Sequence, residues 1–349
     1  MAFRLDDHIL DVFSDADKRE ELFSEARAVR DKHFGNRIFA YGFNYYSTYC
    51  MNKCAFCLYR CSNAHAPRYR HSSEEIVESA CRLAESGVHV IDLTMGEDPY
   101  FLSHPQRLID VVHAVSATTR LPIMISPGAI QVDVLADLHQ AGATWLALYQ
   151  ETFDRKAFGK LRIGQSFDRR MQLKLAALEA GLLVEDGILT GWGDTPESLV
   201  SSLRAMGQSH PSQVRTMTFV PQPGTPLASR IAQNSDWEVI AIALMRILYP
   251  DLLIPASLDV EGPKGLTARL NAGANVITSI IPPGAGLEGV ARTQDIEDGA
   301  RTLAQVMPFI LDAGLELASQ QDYAAYVSRA QMRTLEWDGN VSSAYSQAG

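Results

Sequence analysis

The chain has 349 residues, of which 46% are hydrophobic and 21% charged, which are the proportions of a globular protein. Its formal net charge of −10 argues against nucleic acid as a partner, because binding to phosphates needs a basic face. No apolar run approaches the roughly 18 residues that span a bilayer, and the charged residues near the start do not fit a secretory signal. We therefore expect a cytoplasmic protein that binds neither nucleic acid nor membranes.

The predicted secondary structure alternates between strands and helices. An amphipathic segment at residues 17–31 predicts a helix before the first strand. Short runs rich in apolar and β-branched residues predict eight strands, at 37–44, 89–95, 122–126, 145–149, 182–189, 215–220, 253–258 and 275–281. Apolar residues at helical spacing predict seven helices between and after them, at 72–86, 105–117, 132–141, 167–180, 196–208, 237–248 and 293–311.

This order predicts an α/β fold, a (β/α)8 TIM-type barrel with an extra N-terminal helix. A doubly wound open sheet is the alternative. The sequence has no linker or low-complexity stretch, so we expect one domain over residues 1–349, with the barrel at about 37–313 and a closing segment at about 314–349. Active sites of such barrels lie on the loops after the strands, where this sequence has its unusual polar residues.

Three cysteines stand close together on the loop after the first predicted strand. Cys50, Cys54 and Cys57 form a CxxxCxxC motif. In a reducing compartment, closely spaced thiols indicate metal binding or catalysis rather than disulfides, and thiolates at this spacing can converge on one metal centre. A structural zinc site is the alternative, although three cysteines leave zinc one ligand short and completion by Cys61 or His65 would be cramped.

The motif, with an aromatic residue before its last cysteine and a place at the mouth of a predicted barrel, resembles the signature of the radical S-adenosylmethionine superfamily. The resemblance implies that the three cysteines hold three irons of a four-iron four-sulfur cluster and that the fourth iron stays open for S-adenosylmethionine. In that superfamily an electron from the cluster breaks the sulfonium bond and a 5′-deoxyadenosyl radical results. The protein positions the cofactor and excludes water.

Further stretches match the superfamily in order along the predicted strands. Residues 94–99 are similar to its glycine–glutamate motif, and residues 186–191 resemble its GxIxG element, with Leu189 in the isoleucine position. In the related hydrogenase-maturase branch, a glutamate and an arginine that match Glu151 and Arg170 touch the cofactor. Each stretch alone also fits a turn or a solvated helix, but together they imply a cofactor site. Its residues are Phe56, Gly96, Glu97, Ser126, Glu151, Arg170 and Ile188.

Almost the whole chain, from about residue 34 to 319, resembles the 3-methylornithine synthase family of pyrrolysine biosynthesis. The matching stretches are 34–37, 47–50, 92–100, 123–128, 147–152, 184–191, 254–259 and 269–275. The resemblance implies isomerisation of L-lysine to 3-methylornithine, in which a carbon radical fragments to a glycyl radical and an aminobutene that recombine at the neighbouring carbon. It also implies both cofactors and an external one-electron donor such as flavodoxin or ferredoxin.

Charged residues on the predicted strands form a candidate substrate pocket. Buried charges need partners, because desolvating a lone one costs several kcal/mol. L-lysine carries one carboxylate and two ammonium groups, which one guanidinium and two carboxylates complement. We therefore expect Arg215 to bind the substrate carboxylate in a bidentate fork, with Asp92 and Asp259 on the amines and Ser257 as an added partner. A structural bridge from Arg215 to one of the aspartates is the alternative.

Three other functions remain open at this point. A sulfur-inserting enzyme such as biotin synthase needs further cysteines inside the barrel, whereas only Cys61 and Cys81 remain. The hydrogenase maturase needs only one cluster, and the charges of Asp92, Arg215 and Asp259 favour a zwitterionic diamino substrate instead. A zinc-stabilised binding module without catalytic activity is the third alternative.

Overall fold

A computed structural model of the chain describes residues 9–231, 235–282 and 301–336. These ranges contain nine β-strands: β1 (Arg37–Ser47), β2 (Val90–Met95), β3 (Ile123–Ser126), β4 (Ala143–Ala147), β5 (Leu183–Thr190), β6 (Gln213–Thr218), β7 (Pro255–Ser257), β8 (Val276–Ile280) and β9 (Glu316–Leu317). They also contain twelve α-helices: α1 (Ala16–Phe34), α2 (Ser73–Glu85), α3 (Pro99–Leu102), α4 (Pro105–Thr119), α5 (Leu135–Gln140), α6 (Arg155–Leu161), α7 (Phe167–Glu179), α8 (Pro196–Ala205), α9 (Asp236–Leu248), α10 (Leu266–Asn271), α11 (Leu303–Asp312) and α12 (Gln320–Glu336).

Strands β1 to β8 form one parallel sheet that curves into a nearly closed barrel. Its hydrogen-bonded order is β6-β5-β4-β3-β2-β1-β8-β7, and the short β9 pairs with the start of β1. A bridge pairs Gln213, the first residue of β6, with Leu253, two residues before β7, and so connects the two ends of this order. The predicted (β/α)8 barrel is therefore confirmed, and the open-sheet alternative is wrong.

Capping groups in the sequence explain where several helices begin. At the start of α2, the Ser72 hydroxyl accepts from the Glu75 N–H at 3.2 Å and the Glu75 carboxylate accepts from the Ser72 N–H at 2.7 Å. Asp15 caps α1, which is longer than predicted at both ends. Arg30 of α1 donates to the Leu270 carbonyl at 2.7 Å, so the extra N-terminal helix is fixed against α10.

Some predicted helices are wrong in detail. The predicted helix 132–141 is a 3-10 turn, Val132–Val134, followed by the short α5, and the predicted helix 196–208 ends as the 3-10 turn Met206–Ser209. Such turns are frequent at helix ends, where the tighter hydrogen bonding satisfies terminal groups. The sequence did not predict α3, α6 and α10, because each is too short for helical periodicity to show.

The C-terminal part of the chain closes one end of the barrel. The predicted helix 293–311 corresponds to α11, which the Thr302 hydroxyl caps, and residues 293–300 of that prediction lie outside the described residues. Tyr323 of α12 packs against inward-facing aromatic residues such as Trp145, and its hydroxyl lies 3.0 Å from that of Tyr41. The aromatic layer fills the end of the barrel where the strands begin and leaves the opposite end for the site. Among the described residues, no helix is long and apolar enough to cross a membrane.

Candidate active site

The cysteine loop follows β1. Cys54 is buried, Cys50 and Cys57 are half-buried, and all three line one cavity. Burial and the neighbouring thiols raise the pKa of Cys57 well above its usual value, and burial raises the pKa of Cys50 to about 11. Because their raised pKa values mean that Cys50 and Cys57 need a cationic partner to ionise at neutral pH, three cysteines that line one cavity fit a shared iron–sulfur cluster better than free thiols.

Gly96 lies where the cysteine loop crosses the end of β2. The carbonyl of the next residue, Glu97, accepts from the Met51 N–H at 2.9 Å, which ties the loop to this strand end. A Cβ at position 96 would lie 2.3 Å from the Tyr49 carbonyl oxygen and 2.8 Å from the Cβ of Cys50. Glycine is therefore required by the loop that carries Cys50, independently of any close approach to a ligand.

The predicted cofactor residues Glu97 and Arg170 lie side by side. Glu97 is 9% exposed, and its Oε1 accepts from the Ala129 N–H at 2.9 Å and lies 3.5 Å from Arg170 Nη1. Gly128, with a φ of +80°, leaves room for the Glu97 side chain, since a Cβ there would lie 2.0 Å from Glu97 Cγ. Burial and the nearby Arg162 lower the pKa of Arg170 to about 10, so this guanidinium group stays charged at neutral pH.

Glu151 has a left-handed backbone, with a φ of +66°, which is uncommon for a residue other than glycine. Its N–H donates to the Gly187 carbonyl at 2.9 Å and its carbonyl accepts from the Leu189 N–H at 2.9 Å, so the pairing with β5 extends beyond the end of β4. The Glu151 carboxylate forms a buried ion pair with Arg162. Arg170 was predicted from the sequence, whereas Arg162 was not.

The remaining predicted cofactor residues, Phe56, Ser126 and Ile188, line the same cavity as the cysteines, Gly96, Glu97, Glu151 and Arg170. Within the described part of the chain, the buried Nε atoms of Arg162 and Arg170 have no hydrogen-bond partner. A buried donor without a partner is costly, and an anionic ligand group is the kind of acceptor that would satisfy a guanidinium donor. The three thiols and these donors therefore fit an iron–sulfur cluster beside a ligand that carries a carboxylate.

Arg215 is the third residue of β6, whereas the sequence predicted it to be the first residue of that strand. Its Nε donates to Glu185 Oε1 at 2.7 Å and its Nη1 to Thr278 Oγ1 at 3.3 Å, whereas Nη2 is buried without a partner in the described structure. Burial acts to lower the pKa of Arg215, but the charge of Glu185 raises it above its usual value. The alternative of a bridge to Asp92 or Asp259 is wrong, because the ion-pair partner is Glu185 on the neighbouring strand.

Asp259 follows the end of β7 and is held by three side chains. Its Oδ1 accepts from Arg301 at 2.9 Å, and its Oδ2 accepts from Ser257 at 2.9 Å and from Ser279 at 2.7 Å. Burial acts to raise the pKa of Asp259, but Arg301 and the two hydroxyl groups outweigh it and lower the pKa. Ser279 has a left-handed φ of +67°, so its hydroxyl is presented from a strained backbone.

Asp92 on β2 is 4% exposed, and its Oδ1 accepts from Thr94 Oγ1 at 2.8 Å. Burial and the charge of Glu185 raise the pKa of Asp92 to about 7, because Arg215 compensates for them only in part. Arg215 and Asp259 line the cavity of the cysteines, whereas Asp92 and Ser257 are not among its lining residues.

Comparison with known proteins identifies the family. Residues 44–206, which include the cysteine loop, match the profile of the Radical SAM superfamily. The chain is 48% identical over 307 residues to the 3-methylornithine synthase of Methanosarcina barkeri, which covers 88% of this chain and 87% of the relative. The chain belongs to the 3-methylornithine synthase family of radical S-adenosylmethionine enzymes. A crystal structure of methylornithine synthase matches with a TM-score of 0.87 and 46% identity, over 91% of this chain and 94% of that chain.

Membership in the 3-methylornithine synthase family decides between the alternatives. The chain is a radical S-adenosylmethionine enzyme with a four-iron four-sulfur cluster and S-adenosylmethionine as cofactors, and it acts on a small molecule. The zinc-stabilised binding module is therefore wrong. The [FeFe] hydrogenase maturase subunit HydE of Thermotoga maritima is a more distant relative, 32% identical over 261 residues, which cover 74% of each chain.

Several polar groups of this family member's pocket were missed by sequence reasoning. Glu185 stands two residues after the inward-facing Leu183 and two before Gly187, so strand alternation was a signal that could have found it. Arg301 had no such signal, since it lies 42 residues after its partner Asp259 and outside any strand.

Proposed function

We propose that this chain is a radical S-adenosylmethionine isomerase that converts L-lysine into 3-methylornithine, the first step of pyrrolysine biosynthesis. One observation carries the proposal. The cavity lined by Cys50, Cys54 and Cys57 is also lined by Arg215 and Asp259, two buried groups of opposite charge. A zwitterion held between these charges would lie next to a cofactor bound at the cysteine loop.

The balance of buried charges supports a diamino acid as the substrate. The group of buried charges around Arg215 and Asp259 has one more carboxyl group than guanidinium group. Its members are Asp92, Glu185 and Asp259 against Arg215 and Arg301, of which only Arg215 and Asp259 line the cavity. L-lysine has the complementary balance, with one more ammonium group than carboxylate. We therefore assign the unpartnered Nη2 of Arg215 to the substrate carboxylate and the two aspartates to the amines, with Ser257 as a hydrogen-bond partner.

We assign the cluster to Cys50, Cys54 and Cys57. When bound, the cluster and S-adenosylmethionine supply the one-electron cleavage that generates the radical for hydrogen abstraction. We assign Glu97 to the amine of the methionyl group and Arg170, which has a buried donor without a partner in the described structure, to its carboxylate. The other residues that we assign to this cofactor are Phe56, Gly96, Ser126, Glu151 and Ile188.

The barrel interior suits a reaction in which the substrate breaks into two pieces. Arg215 anchors one end of the substrate, and its guanidinium carbon lies 5.5 Å from the ring centre of Tyr149, which closes that side of the cavity. Retention of both fragments at contact distance replaces a bimolecular encounter by an intramolecular step. This lowers the activation free energy of recombination by several kcal/mol. No proton transfer by a side chain is required.

The proposal is tested by following one carbon atom. Protein purified without oxygen, reconstituted with iron and sulfide and reduced with dithionite is incubated with S-adenosylmethionine and L-lysine labelled with ¹³C at C3. If the glycyl fragment moves from C3 to C4, C3 becomes the methyl group of an isomer of unchanged mass. We expect the label in a methyl resonance and 5′-deoxyadenosine in the same sample.

Two controls delimit the result. The triple variant Cys50→Ala, Cys54→Ala, Cys57→Ala is expected to form neither product, because it lacks the cluster ligands that we propose. Formation of 5′-deoxyadenosine without any lysine isomer would reject L-lysine as the substrate while leaving the cofactor assignment intact. A reduced flavodoxin or ferredoxin is expected to replace dithionite, and we expect the enzyme to work in the cytoplasm, where thiols stay reduced.

A further inference from the structure

Gln165 places a side-chain donor on the sulfur of one of the three cysteines. It lies on the loop between α6 and α7, and its Nε2 is 3.1 Å from Cys54 Sγ. The Nη1 of Arg162 lies 3.9 Å from the same sulfur. Gln165 does not belong to any motif that the sequence analysis singled out.

Two guanidinium groups fix the orientation of the Gln165 amide. Its Oε1 accepts from Arg162 Nη1 at 3.3 Å and from Arg170 Nη1 at 3.2 Å. Only the carbonyl oxygen of an amide can accept from two such donors, so the amide nitrogen is the atom that faces the sulfur. The same guanidinium groups contact Glu151 and Glu97, so the orientation of Gln165 depends on the cofactor-site carboxylates.

The other two cysteines receive their donors from the backbone. The N–H of Asn52 lies 3.4 Å from Cys50 Sγ, and the N–H of Tyr59 donates to Cys57. These donors follow from the path of the loop and do not depend on the side chains at those positions. Gln165 can be changed by a single substitution without altering the loop that carries the cysteines.

We propose that Gln165 tunes the reduction potential of the cluster by hydrogen bonding to the Cys54 sulfur. This inference rests on the proposed assignment of Cys54 as a cluster ligand, but not on L-lysine as the substrate. Reduction adds one electron from an external one-electron donor to the cluster, and the added negative charge is shared with its sulfur ligands. An N–H donor stabilises the reduced form more than the oxidised form, so it raises the potential.

The test is a redox titration of the reconstituted protein without lysine or S-adenosylmethionine, followed by electron paramagnetic resonance of the reduced cluster. Gln165→Leu removes the donor, and Gln165→Glu replaces it with an acceptor of the same shape. We expect iron and sulfide contents equal to those of the unmodified protein and a midpoint potential that is more negative in both variants, more so in Gln165→Glu. Gln106→Leu, on the exposed face of α4, is the matched control and is expected to leave the potential unchanged.

An unchanged midpoint potential in Gln165→Leu and Gln165→Glu overturns the proposal. Loss of the cluster from both variants, with circular dichroism unchanged, also overturns it, because Gln165 would then serve cluster assembly rather than tuning. If both variants fail to fold, Gln165→Asn takes their place, since it retains the amide but withdraws the donor from the sulfur, and the same two outcomes decide. Because no lysine is present, failure of the lysine reaction leaves this result unaffected.

Discussion

We assign Arg215 and Asp259 to the proposed substrate, and none of the hydrogen bonds described for them involves a residue that we assign to the cofactor. Arg215→Ala and Asp259→Asn are therefore expected to lower formation of the lysine isomer by about 30-fold or more, since removal of one partner of a buried charge pair costs about 2–5 kcal/mol. Cleavage of S-adenosylmethionine should persist. The ¹³C methyl resonance of the isomer formed from labelled L-lysine and chromatography of 5′-deoxyadenosine measure the two reactions separately.

Matched controls for these variants come from exposed ion pairs. Arg155 pairs with Asp168, and Asp251 pairs with Arg333. All four side chains are exposed at the protein surface. Arg155→Ala and Asp251→Asn are expected to retain both reactions, because exposed pairs contribute little. Full isomer formation by either Arg215→Ala or Asp259→Asn would refute the pocket assignment.

Asp92 gives the reaction a predicted pH dependence. Its carboxylic acid has a pKa raised to about 7 by burial and by the charge of Glu185, so the group is ionised above pH 7 and neutral below it. Only the ionised form attracts an ammonium group. We expect kcat/KM for L-lysine to fall about tenfold per pH unit below 7 and to level off above it, since kcat/KM reports the free enzyme.

The variant Asp92→Asn separates this effect from other titrating groups. It is expected to have a lower kcat/KM for L-lysine at pH 8 and no break near pH 7. A break of the same size in Asp92→Asn would show that another group causes the pH dependence.

At the scale of secondary-structure elements, a buried ion pair fixes α7 against β5. Lys174 and Asp186 pair with both side chains fully buried, and Asp186 Oδ1 also accepts from the N–H groups of Gln150 and Gly187, at 3.0 and 2.8 Å. Asp186 thus binds the backbone of Gln150, the residue before Glu151, and that of Gly187 on β5. The cofactor site is supported from behind by a pair that faces away from the cavity.

Lys174→Met is expected to destabilise the protein by about 3–5 kcal/mol, because it leaves the Asp186 carboxylate buried without its cation. Denaturant unfolding of the cluster-free protein measures the loss. Lys32→Met, on an exposed position of α1, should change stability by less than about 0.5 kcal/mol. The double variant Lys174→Met, Asp186→Asn should recover part of the loss, and no recovery would mean that the lysine acts through packing alone.

At the scale of the whole molecule, α12 closes the barrel at the end opposite the site. Tyr323 is 1% exposed and packs on Phe39 and Tyr41 with ring centres 5.2 and 5.8 Å apart. Tyr323→Ala is expected to cost about 3–5 kcal/mol and to lower the thermal midpoint, because the cavity left behind cannot collapse against the strands. Leu335→Ala, at an 84% exposed position of the same helix, is the control and should change little.

A thermal midpoint for Tyr323→Ala equal to that of Leu335→Ala would show that α12 is not part of the barrel core.

The prediction of one domain over residues 1–349 stays a proposal. The expected result for it is that the far-ultraviolet circular dichroism and the tryptophan fluorescence, to which the buried Trp145 contributes, change together when the protein unfolds.

Local sequence patterns determined the barrel and the cysteine loop. Eight apolar runs alternating with helical segments specify a β/α repeat, because strand and helix periodicity are properties of neighbouring residues. The spacing of Cys50, Cys54 and Cys57 places three thiols on one loop for the same reason. The bridge between β6 and the segment before β7 was not predictable, because it depends on how the whole sheet curves.

The tertiary structure alone decided the partners of the buried charges. Arg215, Asp92 and Asp259 were predicted from the sequence, but two ion-pair partners were not. Glu185 reaches Arg215 from the neighbouring strand, and Arg301 reaches Asp259 from 42 residues further along the chain. Residue type determines that a buried charge must be paired, whereas distance in space determines with which group. Fold class follows from periodicity along the chain, and site geometry follows from contacts across it.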